Sequence, residues 1–211
     1  MTIISTAGEA HLEVDPEFAI VHVNISAFEP DRPLAIKRVT ERAEQAKPLF
    51  KEAERVETGS INVWPEYRDH NAKHLSGYRA TVSQQVRVTD FTILGDLLVR
   101  LGELNGVELN GPTWQLRPDS PHHRTARLAA VDDALRRARD YAAALGTEVT
   151  GMVELSDTGD LIGQQQVQPM MFAMRAGLAD GGSTPTFDVA PARQQVSARV
   201  AARFEVRPPL L

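Results

Sequence analysis

Three long segments alternate apolar and polar residues with a period of two, and this pattern constrains the fold of the 211-residue chain most. They run from Glu17 to Ala27, from Tyr78 to Thr89 and from Gln195 to Val206. One apolar and one polar face is typical of antiparallel strands that cover a core on one side. We therefore predict that the three strands share one sheet. Weaker patterns predict further strands at 3–14, 60–67, 113–117 and 148–155.

Two of the three predicted helices precede residue 103. The first runs from Pro33 to Lys51, with Asp31 as its N-cap, and Pro48 should end or kink it. The second begins after Asp90. At helical spacing, the inward residues are Ile36, Val39, Ala43, Ala46 and Phe50 in the first helix, and Leu94, Leu97, Leu98 and Leu101 in the second.

The third helix has the clearest boundaries in the sequence. Ser120 caps its start, Pro121 takes the first helical position, and Gly146 follows its end. The predicted buried stripe consists of Leu128, Val131, Leu135, Ala138, Tyr141 and Leu145.

The element order β-β-α-β-β-α-β-α-β-β predicts a two-layer α+β fold, a mainly antiparallel sheet with three helices packed on it. No linker divides the chain, so we predict a single domain over residues 1–211. A long irregular loop at about 159–191 carries four large apolar side chains, which are Met170, Met171, Phe172 and Met174. Such side chains favour a contact, either with the chain's own core or with a neighbouring subunit, and we prefer the subunit.

The composition limits the classes of partner and the cellular compartment that we expect for this protein. The net charge is −5 and no run of basic residues occurs, so we expect neither nucleic acid nor an anionic membrane as a partner. The chain has no cysteine, which excludes disulfide, thiolate-metal and thiol-nucleophile chemistry. No segment is long and apolar enough to span a membrane, and the first residues lack a signal peptide pattern. If Met1 is the native start, we predict a cytoplasmic protein.

Two histidines and a carboxylate form one candidate metal site. If Asp15 and Pro16 make a two-residue turn, Glu9 pairs with His22 across a hairpin and His11 lies diagonally. A solvated polar strand face explains the same residues, and we favour it. The other histidines, His122 and His123 at a helix start and His70 and His74 in a polar loop, are interpreted as solvated side chains.

Outward arginines on two strands are the second candidate. They are Arg79, Arg87, Arg199 and Arg203. They could bind an anionic ligand, or they could keep the sheet surface from aggregating, and we favour the second interpretation. No nucleophile elbow, phosphate-binding loop or dinucleotide fingerprint occurs. We therefore assign no catalytic, cofactor or metal residue, and interpret the chain as a binding or assembly module rather than an enzyme.

Five short segments give the chain a family resemblance. They are Thr6–Ala10 leading into Val14–Glu17, Ser76–Ala80, Val107–Gly111, the alanines at 126, 129, 130, 134 and 138, and Val196–Val200. In order and spacing they resemble the SIMPL-domain, YggE-like family of unknown function. The resemblance implies an α+β domain without established catalytic residues. Many members are periplasmic or surface proteins, some are linked to stress tolerance, and at least one forms a ring-like oligomer.

These observations lead to two hypotheses. The favoured one is a non-enzymatic, oligomer-forming structural or interaction protein, with a stress-related role implied by the resemblance. The alternative is a protein that binds a small ligand or a metal on a polar sheet face, with weak enzymatic activity at most.

Overall fold

The computed structural model describes residues 2–68, 74–157 and 189–208. In chain order the elements are β1 (Thr2–Val14), β2 (Phe18–Glu29), α1 (Arg32–Ala46), β3 (Arg55–Tyr67), β4 (Leu75–Val88), α2 (Leu94–Gly102), β5 (Val107–Gln115), α3 (Pro121–Ala144), β6 (Val149–Asp157) and β7 (Gln194–Val206). Three helices and two antiparallel sheets confirm the predicted α+β class and element order. Of the predicted loop at 159–191, only residues 189–191 are among those described.

The prediction that the three long alternating strands share one sheet is wrong. β2 and β4 lie in a four-stranded sheet of order β3-β4-β2-β5, whereas β7 lies in a three-stranded sheet of order β1-β7-β6. The chain divides into two compact units, each containing one of the sheets. We describe each unit by itself, and a single domain over residues 1–211 stays a prediction.

The first unit comprises residues 2–15, 118–157 and 193–208. β7 is its central strand and pairs antiparallel with β1 on one side and β6 on the other. As predicted, Ser120 caps α3, where its Oγ accepts a hydrogen bond from the backbone N–H of His122 at 3.4 Å. The helix packs mainly on β1 and β7, so the β6 edge of the sheet is the least covered by it.

The side of α3 that faces the sheet is not the predicted stripe. Of that stripe only Ala138 is buried, whereas Leu128, Tyr141 and Leu145 are 55%, 55% and 42% exposed. The buried residues of the helix are Ala126, Ala130, Asp133, Ala134, Ala138 and Ala142.

Gly8 on β1 explains why α3 turns its alanines inward. A Cβ atom at Gly8 would collide with the backbone oxygen of Ala130 and would lie 2.8 Å from the Cβ of Ala134. The strand and the helix therefore approach so closely that only small residues fit between them. The distance between the two backbones, rather than hydrophobicity, selects the buried side of α3.

The second unit comprises residues 16–68, 74–117 and 189–192. The inward residues of β2 and β4 alternate as predicted, and Val82, Val86 and Ile25 are buried. β5 begins at Val107 rather than 113, and its pairing with β2 has a bulge between Ile20 and His22. The weaker strand predicted at 60–67 begins at Arg55.

The helices of the second unit follow the prediction except at the end of α1, at Ile36 and in the capping by Asp31. α1 ends at Ala46, and a short 3-10 helix that contains Pro48 follows over Lys47–Glu52. Ile36 was predicted inside and is 45% exposed, and Ala35 is buried in its place. Asp31 occupies the N-cap position, and its side chain makes no capping hydrogen bond. In α2, the predicted residues Leu94, Leu97 and Leu101 are buried.

Candidate functional site

The candidate metal site at Glu9, His11 and His22 lacks the hairpin on which it depends. β1 pairs with β7 and not with β2, so the hairpin on which the prediction depended does not form. Glu9 lies opposite Arg199, and the Nε atom of Arg199 is 3.3 Å from Oε1 of Glu9. His11 lies on the same strand, whereas His22 belongs to the sheet of the second unit. Among residues 2–68, 74–157 and 189–208, no group of three or more His, Asp or Glu side chains is suited to hold a metal ion.

Three of the remaining histidines, His74, His122 and His123, lie at or next to the ends of elements. His122 and His123 are in the first turn of α3, as predicted. The backbone oxygen of His74, just before β4, accepts a hydrogen bond from the N–H of Arg68 at 3.0 Å. His70 lies outside the described residues, as do Met170, Met171, Phe172 and Met174.

All four outward arginines contact other side chains of the protein. Three of them form ion pairs, namely Arg79 with Glu66, Arg199 with Glu9, and Arg203 with Glu154. The guanidinium carbon of Arg87 lies 4.4 Å from the centroid of the Phe18 ring. These contacts favour the interpretation as surface charges over a clamp for an anionic ligand.

Asp133 is the buried charged residue of α3, and it is not among the candidate residues predicted from the sequence. Its Oδ2 atom accepts a hydrogen bond from the backbone N–H of Glu9 at 3.1 Å and lies 2.8 Å from Nε of Arg137. Oδ1 contacts Nη2 of Arg136. The Glu9 N–H and the Arg136 guanidinium both favour the charged form, so they lower the pKa of Asp133. The alanines at 126, 130, 134 and 138 mark this side of the helix and could have identified Asp133.

A shallow depression of about 380 Å³ lies beside Asp133, lined by Glu9, His11 and Asp132 among others. Asp133 already has a backbone donor and two guanidinium partners. We interpret it as the group that fixes α3 to β1, since its hydrogen-bonding capacity is used inside the protein.

Large apolar side chains remain on the outside of the first unit. We call them the outer apolar surface, and they are Leu128, Tyr141 and Leu145 on α3 and Met152, Val153 and Leu155 on β6. Met152 lies opposite Phe204 and Leu155 opposite Ala202. Because Phe204 and Ala202 are buried in the core beneath α3, Met152 and Leu155 belong to the same side of the sheet and extend beyond the helix.

The four-stranded sheet of the second unit has one polar side, which we call the open face. It consists of the side chains that alternate with the core residues of β2, β3, β4 and β5. Its exposed neutral residues are Asn24, Ser60, Asn62, Gln85 and Asn110. The neighbouring side chains are hydrogen-bonded across the strands: the Oγ atoms of Ser60 and Ser83 are 2.9 Å apart, and Nδ2 of Asn62 donates to Ser60 Oγ at 3.3 Å.

One row of the open face, which we call the aromatic row, has two aromatic side chains with an arginine between them. Trp64, Arg79 and Phe28 lie directly opposite one another on β3, β4 and β2. Trp64 and Phe28 are each 41% exposed. The guanidinium carbon of Arg79 lies 5.7 Å from the centroid of the Phe28 ring, and Nη2 of Arg79 donates to Oε2 of Glu66 at 3.1 Å. This hydrogen bond lowers the pKa of Glu66.

Comparison with known proteins places the whole chain in one family. The family model of SIMPL, described as a protein of unknown function, matches residues 4–204. The uncharacterized protein YggE of Escherichia coli (strain K12) is 23% identical over 215 residues, which cover 97% of this chain and 83% of the relative. The uncharacterized proteins YggE of Escherichia coli O157:H7 and Shigella flexneri match to the same extent.

Proposed function

Since the chain belongs to the SIMPL family of proteins of unknown function, no activity comes with that membership, and we propose from the geometry that it is a non-enzymatic protein that assembles into a homo-oligomer. The observation that supports this proposal is the outer apolar surface of the first unit. Its six large side chains are each at least 42% exposed, while alanines fill the core beneath.

The α3 part of this surface belongs to the stripe that the sequence predicts to be buried. That stripe also contains Val131 and Leu135, which are partly buried and pack against the core, so Leu128, Tyr141 and Leu145 are its exposed members. From Leu128 to Leu145, a separation of 17 positions, the stripe extends about 25 Å. The sequence pattern is that of a buried stripe, and in the single chain three of its residues are exposed. A second copy of the chain would cover them, because a two-fold axis brings the same surface of two copies together.

The proposal is tested by measuring mass in solution. Light scattering coupled to size exclusion, at tens of micromolar protein, should give a species larger than the 23.2 kDa chain. The double variant Leu128→Glu with Leu145→Glu should move that species towards the mass of one chain, because burying two carboxylates in an apolar interface is costly. Its matched control is Leu34→Glu, since Leu34 is a leucine of α1 in the second unit and is 47% exposed. A wild-type protein with the mass of one chain would refute assembly.

The apolar segment at 170–174 supplies a second test of the same proposal. Replacing Met170, Met171, Phe172 and Met174 together by Ser should lower the oligomer mass and leave the circular dichroism unchanged. If the variant unfolds instead, these side chains belong to the core of their own chain, and the outer apolar surface alone must account for assembly.

A stress-related role is part of the same proposal, and it comes from the family resemblance. Survival of a deletion strain under stress should be restored by the wild-type gene and not by the Leu128→Glu, Leu145→Glu variant. Equal rescue by both genes would separate the role from assembly. In the described part of the chain no helix is long and apolar enough to cross a membrane. A cytoplasmic location stays a prediction.

Small-ligand binding on a polar sheet face is the second candidate function. The hydrogen-bonded neutral side chains of the open face favour it, because their outer donors and acceptors are available to a ligand. Metal binding is not favoured, since the hairpin that would pair Glu9 with His22 does not form. A thermal-shift screen tests this candidate, because a ligand at 100 times its dissociation constant adds about 2.7 kcal/mol of stability.

A further inference from the structure

The aromatic row of the open face is held in place by its neighbours. Gly77 is buried, and a Cβ atom there would lie 2.7 Å from Cζ of Phe28, so the absence of a side chain lets the Phe28 ring lie against β4. Arg79 lies beside this ring and is fixed from the other side by Glu66. Trp64 completes the row on β3. The result is a row across three strands in which two half-exposed aromatic side chains lie on either side of Arg79.

The rows next to the aromatic row offer neutral hydrogen-bonding groups. Asn62 and Thr81 lie opposite each other in the following row, and Ser60 and Ser83 in the one after. Hydroxyl and amide groups both donate and accept hydrogen bonds. From Arg79 to Gln85 the face extends six residues along β4, which corresponds to about 20 Å. The open face is therefore long enough for an extended ligand.

The charges of the open face cancel. It carries three arginines and three glutamates, which are Arg55, Arg79 and Arg87, and Glu57, Glu66 and Glu108. Arg55 pairs with Glu57 at 2.6 Å and Arg79 pairs with Glu66, while Arg87 lies over the Phe18 ring. A polyanion such as nucleic acid would find no excess of positive charge here. Charge complementarity thus favours a neutral ligand.

We propose that the open face of the second unit binds a neutral, extended oligosaccharide. The apolar C–H side of one sugar ring stacks on Trp64 or Phe28, and the hydroxyl groups of the following rings bond to the Asn62, Ser60 and Ser83 rows. This inference rests on the second candidate function and names its ligand class. It does not require that the chain forms an oligomer.

A second copy of the chain fits the open face less well. The core of a protein interface is depleted of charge and excludes water. Covering this face with protein would bury the outer hydrogen-bonding groups of Asn62 and Ser60, and each group left without a partner costs about 1–3 kcal/mol. A ligand that is itself covered with hydroxyl groups can satisfy them.

Tryptophan fluorescence can observe the proposed site directly. The chain has two tryptophans, and Trp114 makes an edge-to-face contact with Phe91, with ring centroids 4.8 Å apart. In the conservative variant Trp114→Phe, the emission therefore reports on Trp64 alone. Titration with cellohexaose, xylohexaose, maltohexaose and chitohexaose should give a saturable change with at least one of them.

Titration calorimetry with the sugar that changes the fluorescence then identifies the residues that bind it. Trp64→Ala and Phe28→Ala should each weaken binding at least about tenfold, since each removes a stacking surface. Ile61→Ala is the matched control. Ile61 is an exposed apolar residue of β3, and it lies opposite the core residue Val82, on the other side of the sheet. Its replacement should leave sugar affinity unchanged, and circular dichroism should confirm that all variants fold.

Any of the following outcomes would contradict the proposal that the open face binds an oligosaccharide. If none of the sugars binds at about 5 mM and charged metabolites stabilise the protein, the ligand class is wrong and the second candidate function survives. If no compound of either class stabilises it, both fail. Sugar binding that survives Trp64→Ala and Phe28→Ala would place the site elsewhere. A lower oligomer mass for Trp64→Ala, without sugar binding by the wild type, would identify the open face as a protein interface.

Discussion

The two units of the molecule differ in the size of the side chains that fill their cores. Among the described residues, eleven of the 16 buried residues in the core cluster of the second unit are Val, Ile, Leu or Phe, and the largest of them include Ile25, Leu94 and Leu101. Among the described residues, the core cluster of the first unit has seven buried members, of which five are alanines, and larger side chains of α3 and β6 remain outside. The first unit thus gains less from each buried side chain, because burial contributes about 0.8 kcal/mol per CH₂ group.

This difference shows two ways to attach a helix to a sheet. In the second unit, α1 contributes Ala35, Val39 and Ala46 to a core whose other members are mostly Val, Ile, Leu and Phe. In the first unit the gap is closed, Gly8 and the alanines are in contact, and Asp133 bonds directly to the backbone of β1. Close backbone packing frees the large side chains of α3 for another contact. We therefore connect folding of the first unit with its alanine side, and assembly with its outer apolar surface.

The largest expected effect concerns the core of the second unit. Val82→Asp should unfold this unit, because an unpaired carboxylate in an apolar core costs several kcal/mol, out of a total stability of about 5–15 kcal/mol. Val82 is buried on β4 among the core residues. Far-UV circular dichroism and urea unfolding would measure the loss.

Gln85→Asp is the control for this substitution. Gln85 is exposed on the same strand, on the open face, and its replacement should change the free energy of unfolding by no more than about 0.5 kcal/mol. Equal effects of Val82→Asp and Gln85→Asp would mean that the two faces of β4 are assigned wrongly.

The second prediction tests the close packing of the first unit. Gly8→Ala should destabilise it by about 3 kcal/mol, because the added methyl group meets the backbone of Ala130 and neither element can move easily. Gly151→Ala, on β6 of the same unit, is the matched control, since no atom lies within 4 Å of its added Cβ. If Gly8→Ala unfolds at the same urea concentration as the wild type, the backbones are not in contact and the comparison of the two units fails.

The sequence predicted which side of each strand is buried better than it predicted which strands pair with one another. Alternation identified the buried residues Val21, Val82 and Val200 correctly, because a period of two follows directly from strand geometry. It could not show which strands pair. The prediction joined β1 to β2 through Asp15 and Pro16, whereas the chain leaves one sheet there and enters the other. The candidate metal site failed for this reason alone.

The boundaries of α3 were also predictable, since Ser120 and Pro121 act within one turn of the helix. Its buried side was not predictable from hydrophobicity, because hydrophobicity assigns the largest apolar residues to the core. The decisive quantity is the short distance between α3 and β1. This distance is possible because Gly8, more than a hundred residues before the helix residues it contacts, has no side chain. Asp133 was missed for the same reason, as its partner is the backbone N–H of Glu9.

The third prediction concerns the pH dependence of the first unit. The pKa of Asp133 is lowered in the folded protein, so its charged form contributes stability above the unfolded pKa of about 3.9. That contribution is lost as the pH falls from this value through the lower folded pKa. Asp133→Asn should therefore be less stable than the wild type at pH 7, and the difference should shrink on acidification below about pH 4. Urea unfolding between pH 7 and pH 3 measures it.

The control for Asp133 is its neighbour. Asp132→Asn removes the same charge from an exposed position of α3 and leaves the bond to Glu9 intact. A stability difference that is equal for Asp133→Asn and Asp132→Asn at every pH would show that net charge, and not the bond to β1, is responsible.

The smallest expected effect is that of Leu128→Ala in the first unit, and Leu94→Ala in the second unit is the substitution with which it is compared. Leu94→Ala, in the buried core of the second unit, should cost about 2–5 kcal/mol. Leu128→Ala, on the outer apolar surface of the first, should change the stability of the single chain by no more than about 0.5 kcal/mol. Assembly adds a second signature, because association stabilises only the folded chain and makes the unfolding midpoint rise with protein concentration. Leu128→Ala should weaken that dependence, while Leu94→Ala should lower the midpoint at every concentration and keep the dependence. If Leu128→Ala costs as much as Leu94→Ala at the lowest concentration, Leu128 is part of the core of its own chain, and the leucines of α3 serve folding rather than assembly.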